Sequence, residues 1–362
     1  MILIQGFVFF FGLTVVVATL LSAIRTFVVP RSQQDYVTRV VFLSTRFILN
    51  RLMIIFTVRD YNDRDRILAF YAPISLLTLL PVWYSLLALG YAAMFWATGV
   101  PTWYDAFRAS GSALLTLGFA PVDGIAQSIL AFSAALNGLI LVALLIAYVP
   151  TMYAAFQRRE LAVTLLEVRA GSPPWAVNMI ERFHRIHGLD RLNEMWTSWE
   201  QWFAEIEESH TSLPALNFFR SPTADRSWVT AAGAVLDAAA LTRSTLDVPK
   251  DPRADLCIRS GFLALRRISD FFNFPYNPDP RFPENPISIS RSEFNEVCDR
   301  LANQGVPLKS DREQAWLDFA GWRINYDEML LALAELTQAP LAPWSSDRVP
   351  LYSREFFRRR NR

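Results

Sequence analysis

The residues best placed to do chemistry lie between positions 103 and 121, where a short run from Trp103 to Leu115 leads into Thr116, Leu117, Gly118, Phe119, Ala120 and Pro121. The five residues from Thr116 to Ala120 offer no acid, base or thiol. They offer a row of backbone carbonyls, plus the hydroxyl of Thr116. Carbonyl oxygens ringed around an axis can replace the hydration shell of a permeating cation. Such backbone survives at membrane depth only where it lines water or is buried in protein. The run before it would make a helix of about 20 Å, too short to cross a hydrocarbon core of about 30 Å. It suits a re-entrant helix, with Thr116 to Ala120 carrying the chain back outward.

Other candidates are weaker. His184 and His187 share a helix face with Glu181 nearby, but without a further ligand of defined spacing they read as solvated. Trp196, Trp199 and Trp202 recur every three residues and read as a packed helix face. Glu200, Glu205, Glu207 and Glu208 form its solvated side. The tail, with Arg354, Arg358, Arg359, Arg360, Arg362, Phe356 and Phe357, could sit on anionic lipid. No nucleophile–base pairing, phosphate loop or cofactor motif stands out, so the reading is not an enzyme. A net charge of +1 gives no reason to expect a nucleic-acid partner. Cys257 and Cys298 stand far apart and fit a reducing compartment.

The elements that must position the carbonyl row are apolar. Charged residues make up 19% of the chain, against about 25% in soluble domains, and the deficit falls almost wholly before Arg158. Three runs suffice to span a bilayer: 1–29, 67–103 and 125–156. The first lacks the basic start of a signal peptide and reads as a retained helix. Arg31, Arg39, Arg46, Arg51, Arg59, Arg64 and Arg66 lie between the first two runs, and Arg158 and Arg159 follow the third. By the positive-inside rule these regions are cytoplasmic, leaving the N-terminus and 99–124 outside. The stretch 41–58 is apolar but holds Arg46, Asn50 and Arg51, and reads as an interfacial amphipathic helix. Beyond Arg158 the pattern predicts helices at 158–169, 175–187, 190–208, 225–244, 253–272, 291–303 and 311–336, separated by proline-rich breaks. Nothing alternates as a strand would.

In this order (span, short helix, Thr-x-Gly-Phe, span with a mid-helix glycine) the sequence resembles the two-transmembrane pore module of potassium channels. The resemblance covers roughly residues 68–157. Thr116, Leu117, Gly118 and Phe119 match the first four filter positions, whose carbonyls in that family bind the ion. Gly138 matches the hinge glycine of the inner helix, beside the polar Asn137, and Pro150 matches its proline kink. Ala120 departs from the family, which has glycine there. Since an L-residue in a left-handed conformation costs about 1–2 kcal/mol, Ala120 is expected to distort the outermost ion site.

The resemblance implies an all-α membrane protein with a re-entrant pore helix and filter loop, followed by an α-helical cytoplasmic domain. It implies a homotetramer in the lipid bilayer of the cell (inner) membrane, passing a monovalent cation such as K⁺ and gated near Asn137, Gly138 and Pro150. The cytoplasmic domain would answer to an unidentified ligand or protein. The alternative is a non-conducting membrane-anchored signalling protein that keeps the fold. The expected divisions are an N-terminal helix 1–30, a linker 31–66, a pore module 67–157, a cytoplasmic domain 158–340 and a basic tail 341–362.

Overall fold

The structure is a computed structural model that describes residues 2–29 and 35–350. Arg31 and the basic cluster from Arg354 onward lie outside the described residues. Among those described, the regular structure is helical, with one isolated bridge between Leu246 and Leu308. Three helical runs are long and apolar enough to cross a membrane: Ile2–Phe27, Tyr61–Ala97 and Ile125–Ala170. The chain divides into two compact units, one of Met1–Val58 with Ile67–Ala154, the other of Arg59–Arg66 with Ala155–Arg362.

The first unit holds α1 (Ile2–Phe27), α2 (Tyr36–Ile55), α4 (Tyr71–Ala97), α5 (Trp103–Leu114) and the apolar part of α6 (Ile125–Ala170). Between α2 and α4 runs α3 (Tyr61–Ala69), whose first residues belong to the second unit. α1 and α4 pack through small residues. A Cβ on Gly12 would come within 2.5 Å of the Gly90 carbonyl oxygen, and one on Gly90 within 2.8 Å of Val16. Close backbone approach of this kind drives helix association in lipid, where burying apolar surface gains little. α2 begins earlier than expected, because Asp35 caps it by accepting from the Thr38 amide at 3.0 Å. The same carboxylate accepts from Ser22 of α1 at 2.6 Å, and Ser22 Oγ accepts from the Trp83 indole at 3.0 Å. α2 packs one stripe, Val41, Thr45, Leu49 and Met53, inward, with Phe42 edge-on to Tyr71 of α4. Pro73 falls in the first turn of α4, where a missing N–H costs nothing.

The expected helix at 158–169 is no separate element. α6 runs unbroken for 46 residues, through Gly138 and Pro150, to Gly171 at φ +84°. The polarity changes near Arg158, but neither glycine nor proline falls between Thr151 and Ala170 to stop the helix.

In the second unit the end of α6 meets α7 (Ala176–Arg185), α8 (Leu192–Ser212), α9 (Trp228–Ser244), α10 (Pro252–Phe271), α11 (Arg291–Asn303), α12 (Arg312–Arg323) and α13 (Asp327–Thr337). Nearly every residue of α9 is buried, as a helix apolar on all sides requires. Its alanines let neighbours approach closely. Trp196, Trp199 and Trp202 are buried on α8, as their spacing implies. The single helix expected over 311–336 is two, broken at 324–326, where Arg266 of α10 donates to the Asn325 carbonyl at 3.0 Å. The break turns Arg323 and Tyr326 together onto Asp237 of α9, while Asp327 accepts from the same Arg323.

Beside this cluster Glu328 is half-buried, and burial, helped by the Asp327 charge, pushes its carboxyl up to about 7 from its ordinary 4.5. Because the folded-state value is the higher one, the stabilisation is complete below pH 4.5 and is lost as pH rises through 7. Glu328→Gln is therefore expected to be more stable than wild type above neutrality, with a flatter stability–pH curve between those limits. Thermal unfolding across that range is the check.

Candidate functional site

α5 starts at Thr102, whose hydroxyl accepts from the Asp105 amide at 3.0 Å and donates to the Asp105 carboxylate at 2.7 Å. Trp103 stacks on Trp96 of α4 with ring centroids 5.0 Å apart. Further along, Ser110 donates to the Ala88 carbonyl at 2.8 Å. As α5 advances, its partners on α4 thus move back toward that helix's beginning, so the two helices run antiparallel.

The far end of α5 meets α6 at Gly138. A Cβ there would lie 2.0 Å from the Leu114 carbonyl oxygen, so only glycine admits the contact. Tyr84 of α4 donates to the Gly138 carbonyl at 2.7 Å, which joins three helices at one level. Gly138 lies about 20 Å along α6 from Ile125. Asn137, the polar neighbour, donates to the Tyr91 hydroxyl at 2.7 Å, and that hydroxyl lies 3.1 Å from Ser133 Oγ. Asn137 is thus tied to α4. Pro150 sits within a continuous helix, and the neighbouring Thr151 hydroxyl bonds back to the Ala147 carbonyl at 3.0 Å.

Residues 116–120 leave α5 through a left-handed cap. Thr116 has φ +55°; its amide donates to the Ala113 carbonyl at 3.0 Å and the Leu117 amide to the Ser112 carbonyl at 2.8 Å. This is the Schellman arrangement, with threonine where glycine is usual. Gly118 follows at φ +71°, and its Cβ position is open space. Positive φ therefore falls on alternate residues, 116 and 118. Ala120 has no positive φ, so the strain expected there is absent and Thr116 bears it instead. The Ala120 amide instead donates to Ser112 Oγ at 3.1 Å. Leu115, Leu117 and Phe119 are each more than half exposed on the single chain, and Arg108 stacks on Phe119, 5.6 Å from its centroid.

Sequence reasoning singled out Thr116–Ala120 and Gly138 and did not single out Ser112, Tyr84 and Tyr91, which hold the turn and tie α4 to α6. Serine and tyrosine in apolar helices are the only signal for them, and by itself it does not name partners. Of the histidines considered, His184 neighbours Gly305, and His187 has φ +51°. Among the described residues no group of three His, Cys, Asp or Glu is arranged to hold a metal ion. Compared with protein-family models, with curated proteins and with solved structures, the chain matches none.

Proposed function

We propose that this chain is one subunit of a tetrameric, potassium-channel-like cation channel in the cell (inner) membrane, with its helical unit cytoplasmic and acting on the gate. One observation carries the reading: a short helix turns back between two membrane-length helices and ends against Gly138, about 20 Å from the start of α6. That is the depth a re-entrant helix needs, because the turn after it would then lie near the middle of a hydrocarbon core. The exposed Leu115, Leu117 and Phe119 support the oligomer, since sister subunits would cover them and close a ring of carbonyls from Thr116, Leu117, Gly118 and Phe119. α6 then serves as the inner helix, with Gly138 packing the pore helix and Pro150 weakening the helix further along.

A second reading has its own observation. The positive φ of Thr116 is already used to close α5, and Ala120 stands where a filter glycine would. A non-conducting, membrane-anchored signalling protein with a pore-like fold would carry both features.

Flux through liposomes holding the purified full chain separates the two. A conducting tetramer should pass K⁺ or Na⁺ above protein-free vesicles, and Gly118→Val should abolish the flux. Silence in wild type together with flux in Ala120→Gly would favour the scaffold.

A further inference from the structure

The helical unit contains the chain on both sides of the membrane module Ile67–Ala154: Arg59–Arg66 just before it and residues from Ala155, the last part of α6, just after it. Both attachments converge on a single loop. On the exit side, Arg159 of α6 is fully buried and donates to the carbonyls of Leu216 at 2.9 Å and Phe219 at 2.7 Å. Its guanidinium also holds Glu160 at 2.7 Å. On the entry side the next loop residue, Arg220, pairs with Asp65 of α3, with both side chains almost wholly buried. Arg220 also donates to the carbonyls of Thr337 at 2.8 Å and Gln338 at 2.9 Å, fixing its head against the end of α13.

Packing alone does not hold this loop. Asn217 Oδ1 and Ser221 Oγ are buried without a hydrogen-bond partner among the described residues. Both residues line a cavity of about 20 Å³, room for roughly one water. Asn217 ties the loop back to the His210 and Pro214 carbonyls at 3.0 Å and accepts from the Trp228 indole, but the loop's links to the segments on either side of the membrane module are the two arginines, and charge-assisted bonds of this kind are the strong ones in a protein.

We infer that residues 216–220 form a coupling joint, with Arg159 and Arg220 as its two pins, through which the helical unit holds the segment entering α4 and the last part of α6 at once. A displacement of the loop moves both segments together, which gives a partner or ligand acting on the helical unit a route to the module. Arg220 is a positioning residue that acts through Asp65. That the joint sets the conducting state rests on the channel reading above; that it fixes Arg59–Arg66 does not.

Hydrogen exchange of the full chain in detergent, compared among wild type, Arg220→Gln, Asp65→Asn and the double variant, tests the joint. Each single variant should speed exchange at residues 59–66 about tenfold or more, with a smaller rise in the first turns of α4 and little change in α9. The double variant should add little to either single one. Arg312→Gln, which removes an exposed pair with Asp299, should leave residues 59–66 unchanged. Unchanged exchange at 59–66 in Arg220→Gln overturns the proposal, and so does a rise spread evenly over the helical unit. Liposome flux separates the two layers: a silent wild type counts against the channel while the exchange result still judges the joint. A conducting wild type whose flux is unmoved by Arg220→Gln, despite faster exchange, overturns the coupling alone.

Discussion

Arg323→Met should lower the stability of the helical unit by about 3–5 kcal/mol at neutral pH, the largest loss expected of any single substitution here. Arg323 has no exposed surface. It donates to Asp237 at 2.6 Å, to Asp327 at 2.7 Å and to the Trp344 carbonyl at 2.7 Å. Burial works against its charge, but the two carboxylates more than offset this, so its hold on the proton is raised. Methionine fills similar volume but leaves two buried carboxylates facing each other without a counter-charge. Tyr326 would still donate to Asp237 at 2.9 Å and Ser288 to Asp327 at 2.6 Å, which is too little to replace a cation. The loss should shrink in acid. Burial already raises the Asp237 carboxyl above its ordinary value and Arg323 is the main group that lowers it, so without the arginine the deficit is smallest below the ordinary carboxylate range and grows as pH rises. Thermal unfolding of the full chain in detergent at several pH values is the measurement. An Arg323→Met protein within 1 kcal/mol of wild type at neutral pH, against the roughly 3–5 expected, would mean the network is not closed as described.

Gly138→Ala should destabilise the membrane unit, against the ordinary preference for alanine in a helix. In an open helix position the change gains up to about 1 kcal/mol. Here the new methyl would lie 2.0 Å from the Leu114 carbonyl oxygen, and a backbone atom has no flexible end to swing away. Overpacking of this kind costs about 1–3 kcal/mol. It would also push α5 off α6 and disturb the turn at Thr116–Ala120. Gly6→Ala and Gly321→Ala meet nothing within 4 Å and serve as controls, expected to be neutral or mildly stabilising. On the channel reading, Gly138→Ala should also lose flux while the controls keep it. If Gly138→Ala proved as stable as the controls, the packing of α5 against α6 would need revision.

The hinge role expected of Gly138 changes meaning in this light. A glycine in mid-helix reads equally as a flexible point or as a place where another backbone comes close. Periodicity cannot choose, because both leave the same letter in the sequence. The contact with Leu114 decides for close approach in the conformation described. Asn137 was similarly open between facing a cavity and bonding a neighbouring helix, and the Tyr91 hydroxyl settles its partner. At Ala120 the expected strain followed from family geometry. The chain instead spends its left-handed residue at Thr116, because α5 must be capped before the turn can begin.

Composition and hydropathy by themselves determined the helical class, the three membrane-length helices, the short α5 and the buried tryptophan face of α8. Those features follow from local periodicity and from the cost of exposing or burying a residue type, which each stretch of chain carries within itself. Tertiary structure alone decided that 311–336 breaks at Asn325, that α3 forms and its first residues join the helical unit, and that Arg159 and Arg220 meet at one loop. Each of these depends on a polar group finding a partner tens to hundreds of residues away. Arginine looks the same in sequence whether it ends solvated, in headgroups or fully buried between two carboxylates, and only the packed chain supplies the partner that distinguishes them.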